Sequence, residues 1–200
     1  MSIIAKNEGG DFKQLKPATY AARCYMIIDL GHQKNEFNGD VSIKHQVMVS
    51  WEVPEEKLED GQPMAISKFY TLSLHPKSNM GQDLVSWRGK AFTPDEEAGF
   101  DITKLAGVPC LLSVIDKNGK SRVGSVSGLP KGMSVPDQIN STVIFSMEDY
   151  ANGDESVFNG LSDGIKAIIL KSEDLKKPNQ VESENPGAGM DDGFDDDIPF

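Results

Sequence analysis

Two long runs of alternating residues constrain this chain more than any other feature. Tyr20, Ala22, Cys24, Met26, Ile28 and Leu30 fall on one parity, with Arg23, Tyr25, Ile27 and Asp29 on the other. Further on, Ile43, His45, Val47, Val49, Trp51 and Val53 alternate with Lys44, Gln46, Met48 and Ser50. A period of two sends successive side chains to opposite faces of a strand, so each run predicts a long strand with one face on a core. The residues between them, Gly31 to Asp40, carry turn chemistry in Asn38-Gly39-Asp40 and predict a loop, and Pro54 predicts the end of the second strand.

Ala65 to Leu74 repeats the alternation as a third strand. The period then changes. Ser78 or Asn79 can cap a short helix from Met80 to Trp87, with Met80, Leu84 and Trp87 on one side and Gly89 at its end. Thr93-Pro94-Asp95-Glu96 reads as a second helix start with a capping box, and Asp101 to Leu105 adds a further turn. Strands resume at Cys110–Ile115 and Arg122–Ser127, joined through Asn118-Gly119, a strong hairpin signal. A late strand at Thr142–Met147 and a C-terminal helix at Asp163–Ser172 complete the pattern, and Pro178 marks the start of a tail.

The expected fold is therefore mainly β. Three strands, a helical insert and a two-strand hairpin follow the order of an OB-fold five-stranded barrel, with a short helical insert between strands 3 and 4 and a C-terminal helix. Order alone leaves SH3-like barrels and other small β folds open. The expected organisation is a flexible N-terminal arm over 1–16, with Gly9-Gly10 and scattered charge, an OB-type domain over 17–172, and a disordered acidic tail over 173–200.

Charge supports that division. Of the formal net charge of −11, residues 172–200 carry −7, leaving a near-neutral body that can still own a basic groove. Cys24 and Cys110 lie in apolar runs without a CxxC or a nearby His cluster, so buried free thiols are expected rather than a metal site. No apolar run approaches the roughly 18 residues of a bilayer span and the N-terminus lacks a signal peptide's apolar region, so no membrane association and a cytoplasmic location are expected.

The last ten residues, Asp191-Asp192-Gly193-Phe194-Asp195-Asp196-Asp197-Ile198-Pro199-Phe200, hold five Asp and no Lys or Arg. Mutual repulsion keeps such a run extended, while Ile198, Pro199 and Phe200 beside the terminal carboxylate offer a partner something to grip. An acidic tail closing in Asp-Asp-Asp-Ile-Pro-Phe resembles the partner-docking tip of bacterial single-stranded DNA-binding proteins and their phage counterparts. The run Trp87-Arg88-Gly89-Lys90-Ala91-Phe92-Thr93, with Gly99-Phe100-Asp101, Leu105, Gly107 and Cys110, resembles phage-encoded single-stranded DNA-binding proteins of the OB class, as do Trp51-Glu52 and Tyr70-Thr71-Leu72-Ser73-Leu74. The resemblance implies binding of single-stranded DNA and recruitment of replication, recombination and repair proteins through Asp195, Asp196, Asp197, Ile198, Pro199 and Phe200. For a phage-encoded protein the cytoplasm is the host's. With no dimer helix evident, a monomer or dimer is expected, and no cofactor.

Single strands are held by aromatic faces that stack on bases and by cations that follow the phosphates. In an OB fold the outward faces of strands two and three and two flanking loops supply them. The candidates are Arg23 and Tyr25 on the first strand, Lys44 on the second, Lys68 and Tyr70 on the third, Lys34 and Phe37 in the first loop, and Lys117, Lys120 and Arg122 around the last hairpin. Trp87, Arg88 and Lys90 add an aromatic and two cations. The third strand is ambiguous, because Phe69 and Tyr70 lie on opposite faces. A Tyr hydroxyl's preference for a wet edge favours Tyr70 outward, with the reverse register or a bulge as the alternative. The bland readings stand beside these: Trp51 has core parity, Trp87 sits with Met80 and Leu84, and each lysine taken singly reads as solvated surface.

Enzymatic signals are poor. Gly119-Lys120-Ser121 looks like the end of a phosphate-binding loop, but Val114 stands where that motif needs Gly. His32, His45 and His75 show no metal-ligand spacing, and no nucleophile has a base beside it. An acidic interaction or decoy protein that sequesters repair enzymes without binding nucleic acid is the rival expectation.

Overall fold

The computed structural model describes residues 13–37 and 39–176, with the side chain of Phe37 outside the described set. It is mainly β. Six strands form one sheet: β1 (Ala18–Phe37), β2 (Asp40–Lys57), β3 (Pro63–Thr71), β4 (Pro109–Lys117), β5 (Lys120–Ser127) and the short β6 (Val143–Phe145). The path runs β3-β2-β1-β4-β5, antiparallel throughout, and β6 joins β1 in parallel. Between the third and fourth strands lie α1 (Asn79–Arg88), α2 (Pro94–Ala98) and a 3-10 turn at Ile102–Leu105. After β6 come α3 (Met147–Ala151), α4 (Ser156–Gly160), α5 (Asp163–Ile169) and a final 3-10 turn at Glu173–Leu175.

Three expectations need correcting. Gly31–Phe37 is strand rather than loop, so β1 and β2 continue together as a two-stranded ribbon. Strand β2 runs past Pro54 to Lys57, where the ladder with β3 is irregular and the missing Pro N–H costs no pairing. The sheet is not closed into a five-stranded barrel: among the described residues no ladder joins β3 to β5, although the two come within 8 Å at several Cα positions, and the expected late strand, found as β6, adds to β1.

The local signals explain the elements. Ser78 caps α1 by accepting from the Gly81 N–H, and Thr93 and Glu96 close the predicted capping box at α2 with Pro94 in its first turn. Asn118 and Gly119 both take positive φ, 56° and 77°, as a tight hairpin between twisted strands requires.

Strand β1 serves two cores because its register shifts between Cys24 and Met26 and again between Asp29 and Gly31. An extra residue in a strand flips the side chains that follow it. Ala22, Cys24 and Ile27 therefore join a first core with Val47, Val49, Trp51, Val53, Leu84 and Trp87, while Ile28 and Leu30 join a second with Met48, Phe145, Leu161 and Ile169. Each such buried aliphatic side chain contributes about 1.5–3 kcal/mol over its exposed state, so β1 cannot present an open outer face along its length. Trp51 and Trp87 pack at 5.8 Å between ring centroids in the first core. Cys24 and Cys110 are free and buried there, and burial pushes the Cys24 thiol up to about 12 and raises that of Cys110 as well.

Both described ends of the body are tied down. Leu15 is buried, its carbonyl accepts from the Ser121 hydroxyl, and Lys13 Nζ donates to the Lys57 carbonyl at 2.5 Å. At the other end Asp174 accepts from the His32 N–H and from its ring, each at 2.8 Å. Gly31 makes that contact possible: its φ is +69°, and a Cβ there would run into Ser172 Oγ and Asp174 Oδ2.

Candidate nucleic-acid interface

The outer face of β1, β2 and β3 carries Met26 and Ile28, then Met48, Ser50 and Glu52, then Ser67 and Phe69. The C-terminal elements cross this face and leave a groove of about 730 Å³ beneath them. Tyr25, Met26, Met48, Ser50 and Ser67 line its floor, and Val143, Val157, Leu161 and Ile165 its other wall. None of the lining residues carries a charge. Ser50 and Ser67 hydroxyls bond one another at 2.7 Å. Burial, with Glu52 and Cys24 nearby, raises the Tyr25 phenol above its usual range.

At one end of the groove a segment without regular structure is strapped across the sheet. Arg23 and Glu52, paired across β1 and β2, hold it together. Arg23 donates from Nε to the Pro136 carbonyl at 3.0 Å and from Nη1 to the Gly107 carbonyl at 2.7 Å. Glu52, fully buried, accepts from the Ile139 and Asn140 N–H groups at 2.7 Å and from the Asn140 amide at 2.6 Å. A buried carboxylate with three donors is satisfied rather than poised for chemistry. Arg23 thus works as a tie for this strap, with two of its N–H donors committed to carbonyls.

Several expected ligands lie inside the molecule. Lys68 is 9% exposed and pairs with Asp83 Oδ2 at 2.9 Å; Tyr70, 5% exposed, donates to the same oxygen at 2.7 Å. The expectation of Tyr70 outward is corrected: the register puts Phe69 on the outer face beside Met48 and turns Lys68 and Tyr70 toward α1. Trp87 is buried, with Nε1 donating to the Pro109 carbonyl at 2.9 Å. Arg88 is paired with Glu96, and its guanidinium lies over the rings of Phe92 and Phe100 at 4.3 and 4.8 Å. It binds the helical insert together. In each case the partner is contributed by a separate element that strand alternation does not reveal.

The remaining cations sit at the surface. Lys90 is exposed, 3.9 Å from Glu96. Lys120 is exposed, and Lys117 and Arg122 half-buried, around the β4–β5 turn. Lys34 and Lys44 both lie on the ribbon but on opposite faces, since Lys34 pairs with Ile43 and Lys44 with Gln33. Lys44 continues the outer row of Gln46, Met48 and Ser50; Lys34 does not. The tail residues Asp195, Asp196, Asp197, Ile198, Pro199 and Phe200 lie outside the described residues, as does the side chain of Phe37.

Sequence reasoning favoured Tyr70 over Phe69 as the outer-face aromatic, and it expected the late strand and the C-terminal helix but not α3, α4 or the packing of this layer over the face. Among the described residues no group of three or more His, Cys, Asp or Glu is arranged to hold a metal ion, and no helix is long and apolar enough to cross a membrane. In comparisons with known proteins, no family model, no curated protein and no solved structure matches this chain.

Proposed function

We propose that the chain binds single-stranded DNA across the outer face of β1–β3, with little sequence preference, and recruits replication, recombination or repair proteins through its acidic terminus. The observation that carries this reading is a strand path of β3-β2-β1-β4-β5, with helices between the third and fourth strands, in a chain whose last residues read Asp-Asp-Asp-Ile-Pro-Phe. That path is the strand order of an OB barrel, and the approach of β3 to β5 is where such a barrel closes. The groove suits unstacked bases: the Met26 and Met48 thioethers and the Tyr25 ring meet their faces, and the Ser50, Ser67 and Thr142 hydroxyls meet their edges. Phosphates then fall to Lys44 on the outer row and to Lys117 and Lys120 at the hairpin.

One observation favours the second reading. A groove without a single charged lining residue also suits an apolar peptide, as expected of an acidic protein that sequesters repair enzymes and binds no nucleic acid. A gel shift with single- and double-stranded oligonucleotides at low and high salt separates the two. Binding that prefers single strands and weakens with salt is the expected result. No shift at either salt removes the nucleic-acid reading and leaves the second.

A further inference from the structure

The row of β2 that faces the first core does not stop where that core stops. Val47, Val49, Trp51 and Val53 are buried, and the same row runs on through His45 to Ile43 and Val41, which are 56% and 53% exposed. The β1–β2 register sets Lys34 beside Ile43 and Glu36 beside Val41. Residues paired across an antiparallel ladder share a face, so these four form one exposed patch with the apolar pair along one strand and a cation and an anion along the other. Among the described residues neither Lys34 nor Glu36 has an ion-pair partner. Val41 and Ile43 thus carry the apolar row beyond the edge of the core into water, side by side with a cation and an anion.

We propose that this patch is the interface between two copies of the chain, packed face to face about a two-fold axis that passes over the Asn35–Ser42 pair. Asn35 and Ser42 are themselves partners in the register, midway between the two charged positions and the two apolar ones. An axis there, lying in the plane of the interface and across the strands, lays each strand over its own copy in the reverse direction. Lys34 then meets Glu36 of the partner subunit, and Val41 meets Ile43 of the partner subunit, with each contact made twice. Such a surface is self-complementary and closes at two copies, as an isologous interface must. The charges also argue against a nucleic-acid occupant, because Glu36 beside the apolar pair repels phosphate while it attracts a second Lys34.

Sedimentation equilibrium of the full chain over a dilution series tests this, with circular dichroism to show that each variant keeps its fold. The wild-type chain is expected to associate to two copies, and Ile43→Asp to raise the dissociation constant by about tenfold or more. Lys34→Glu and Glu36→Lys should each weaken the dimer, and the doubly exchanged chain should recover it, since the swap restores both charge pairs. A wild-type chain that sediments as one copy throughout overturns the proposal. So does a dimer indifferent to all three single changes, which places its interface elsewhere. A single copy in which Ile43→Asp lowers oligonucleotide affinity assigns the patch to nucleic acid instead.

Discussion

Asp83 decides the fate of two residues that read as ligands in the sequence. Its carboxylate sits on α1 at the edge of the first core, holding the Lys68 ammonium and the Tyr70 hydroxyl on one oxygen, while the Val126 N–H lies 3.4 Å from the other. Removing one partner of a buried ion pair strands the other charge, which typically costs about 3–5 kcal/mol. Asp83→Ala should therefore lose stability on that scale in a denaturant titration, whereas Tyr70→Phe, which removes one hydrogen bond to a charged group, should lose about 1.5–3 kcal/mol. The same Tyr70→Phe protein should bind oligonucleotide as the wild type does. A drop in affinity without a drop in stability would return Tyr70 to the binding surface. Trp51 was readable as core from its parity alone, but the burial of Lys68, Tyr70 and Arg88 was not. Their partners, Asp83 and Glu96, lie on helices whose docking onto the sheet depends on tertiary packing.

At the level of elements, local chemistry made α1, the α2 capping box, the β4–β5 turn and the strands readable to within a few residues, except for the Gly31–Phe37 end of β1. It failed where the backbone changes its own rules. The register shifts after Cys24 and after Asp29 leave no mark in the alternation of β1, yet they turn both faces of that strand inward. The second shift lies beside the base of the ribbon, where His45 Nε2 meets Asp29 Oδ1 at 2.6 Å and His32 holds Asp174. The two imidazoles lie 4.7 Å apart, so the titrating groups facing His45 are Asp29, Asp174 and His32. The hydrogen bond to Asp29 raises His45 above the usual imidazole value; burial opposes it, and the charges of Asp29 and Asp174 add to it. A group raised on folding stabilises most below its unfolded pKa and loses that contribution as pH climbs through its folded one. Asp174 behaves in the opposite sense: burial works against it, but the His32 and Ser172 hydrogen bonds outweigh burial and lower it, so its contribution fades only in acid. Stability should thus decline as pH rises above the ordinary imidazole value of about 6.5, measured as the denaturation midpoint. His45→Asn should flatten that profile, and an unchanged slope in the variant would remove His45 as its source.

For the whole molecule, the excess negative charge is concentrated toward the terminus. The chain carries −11, of which residues 172–200 hold −7, and the groove lining holds none. The strand order and the acidic terminus were both readable in the sequence. The layer from β6 to α5 that covers the outer face was only partly so, because its short helices depend on packing against β1 and β6 more than on their own propensity. If Lys44, Lys117 and Lys120 hold phosphates, the Asp run competes with DNA for the same cations. That competition is electrostatic and works over about 8 Å at physiological salt, and over longer distances as salt falls. Deleting Asp191 to Phe200 should therefore tighten single-strand binding at low salt, read by fluorescence anisotropy of a labelled oligonucleotide. The difference from the full chain should shrink as salt is raised, because screening removes the tail's attraction and the phosphate contacts together. Partner capture through Ile198, Pro199 and Phe200 should be lost at every salt, since it rests on a filled pocket and a paired carboxylate rather than on long-range charge. An affinity unaffected by the deletion at low salt would show that the tail does not reach the DNA-binding cations. Unaffected capture would show that the partner grips another part of the chain.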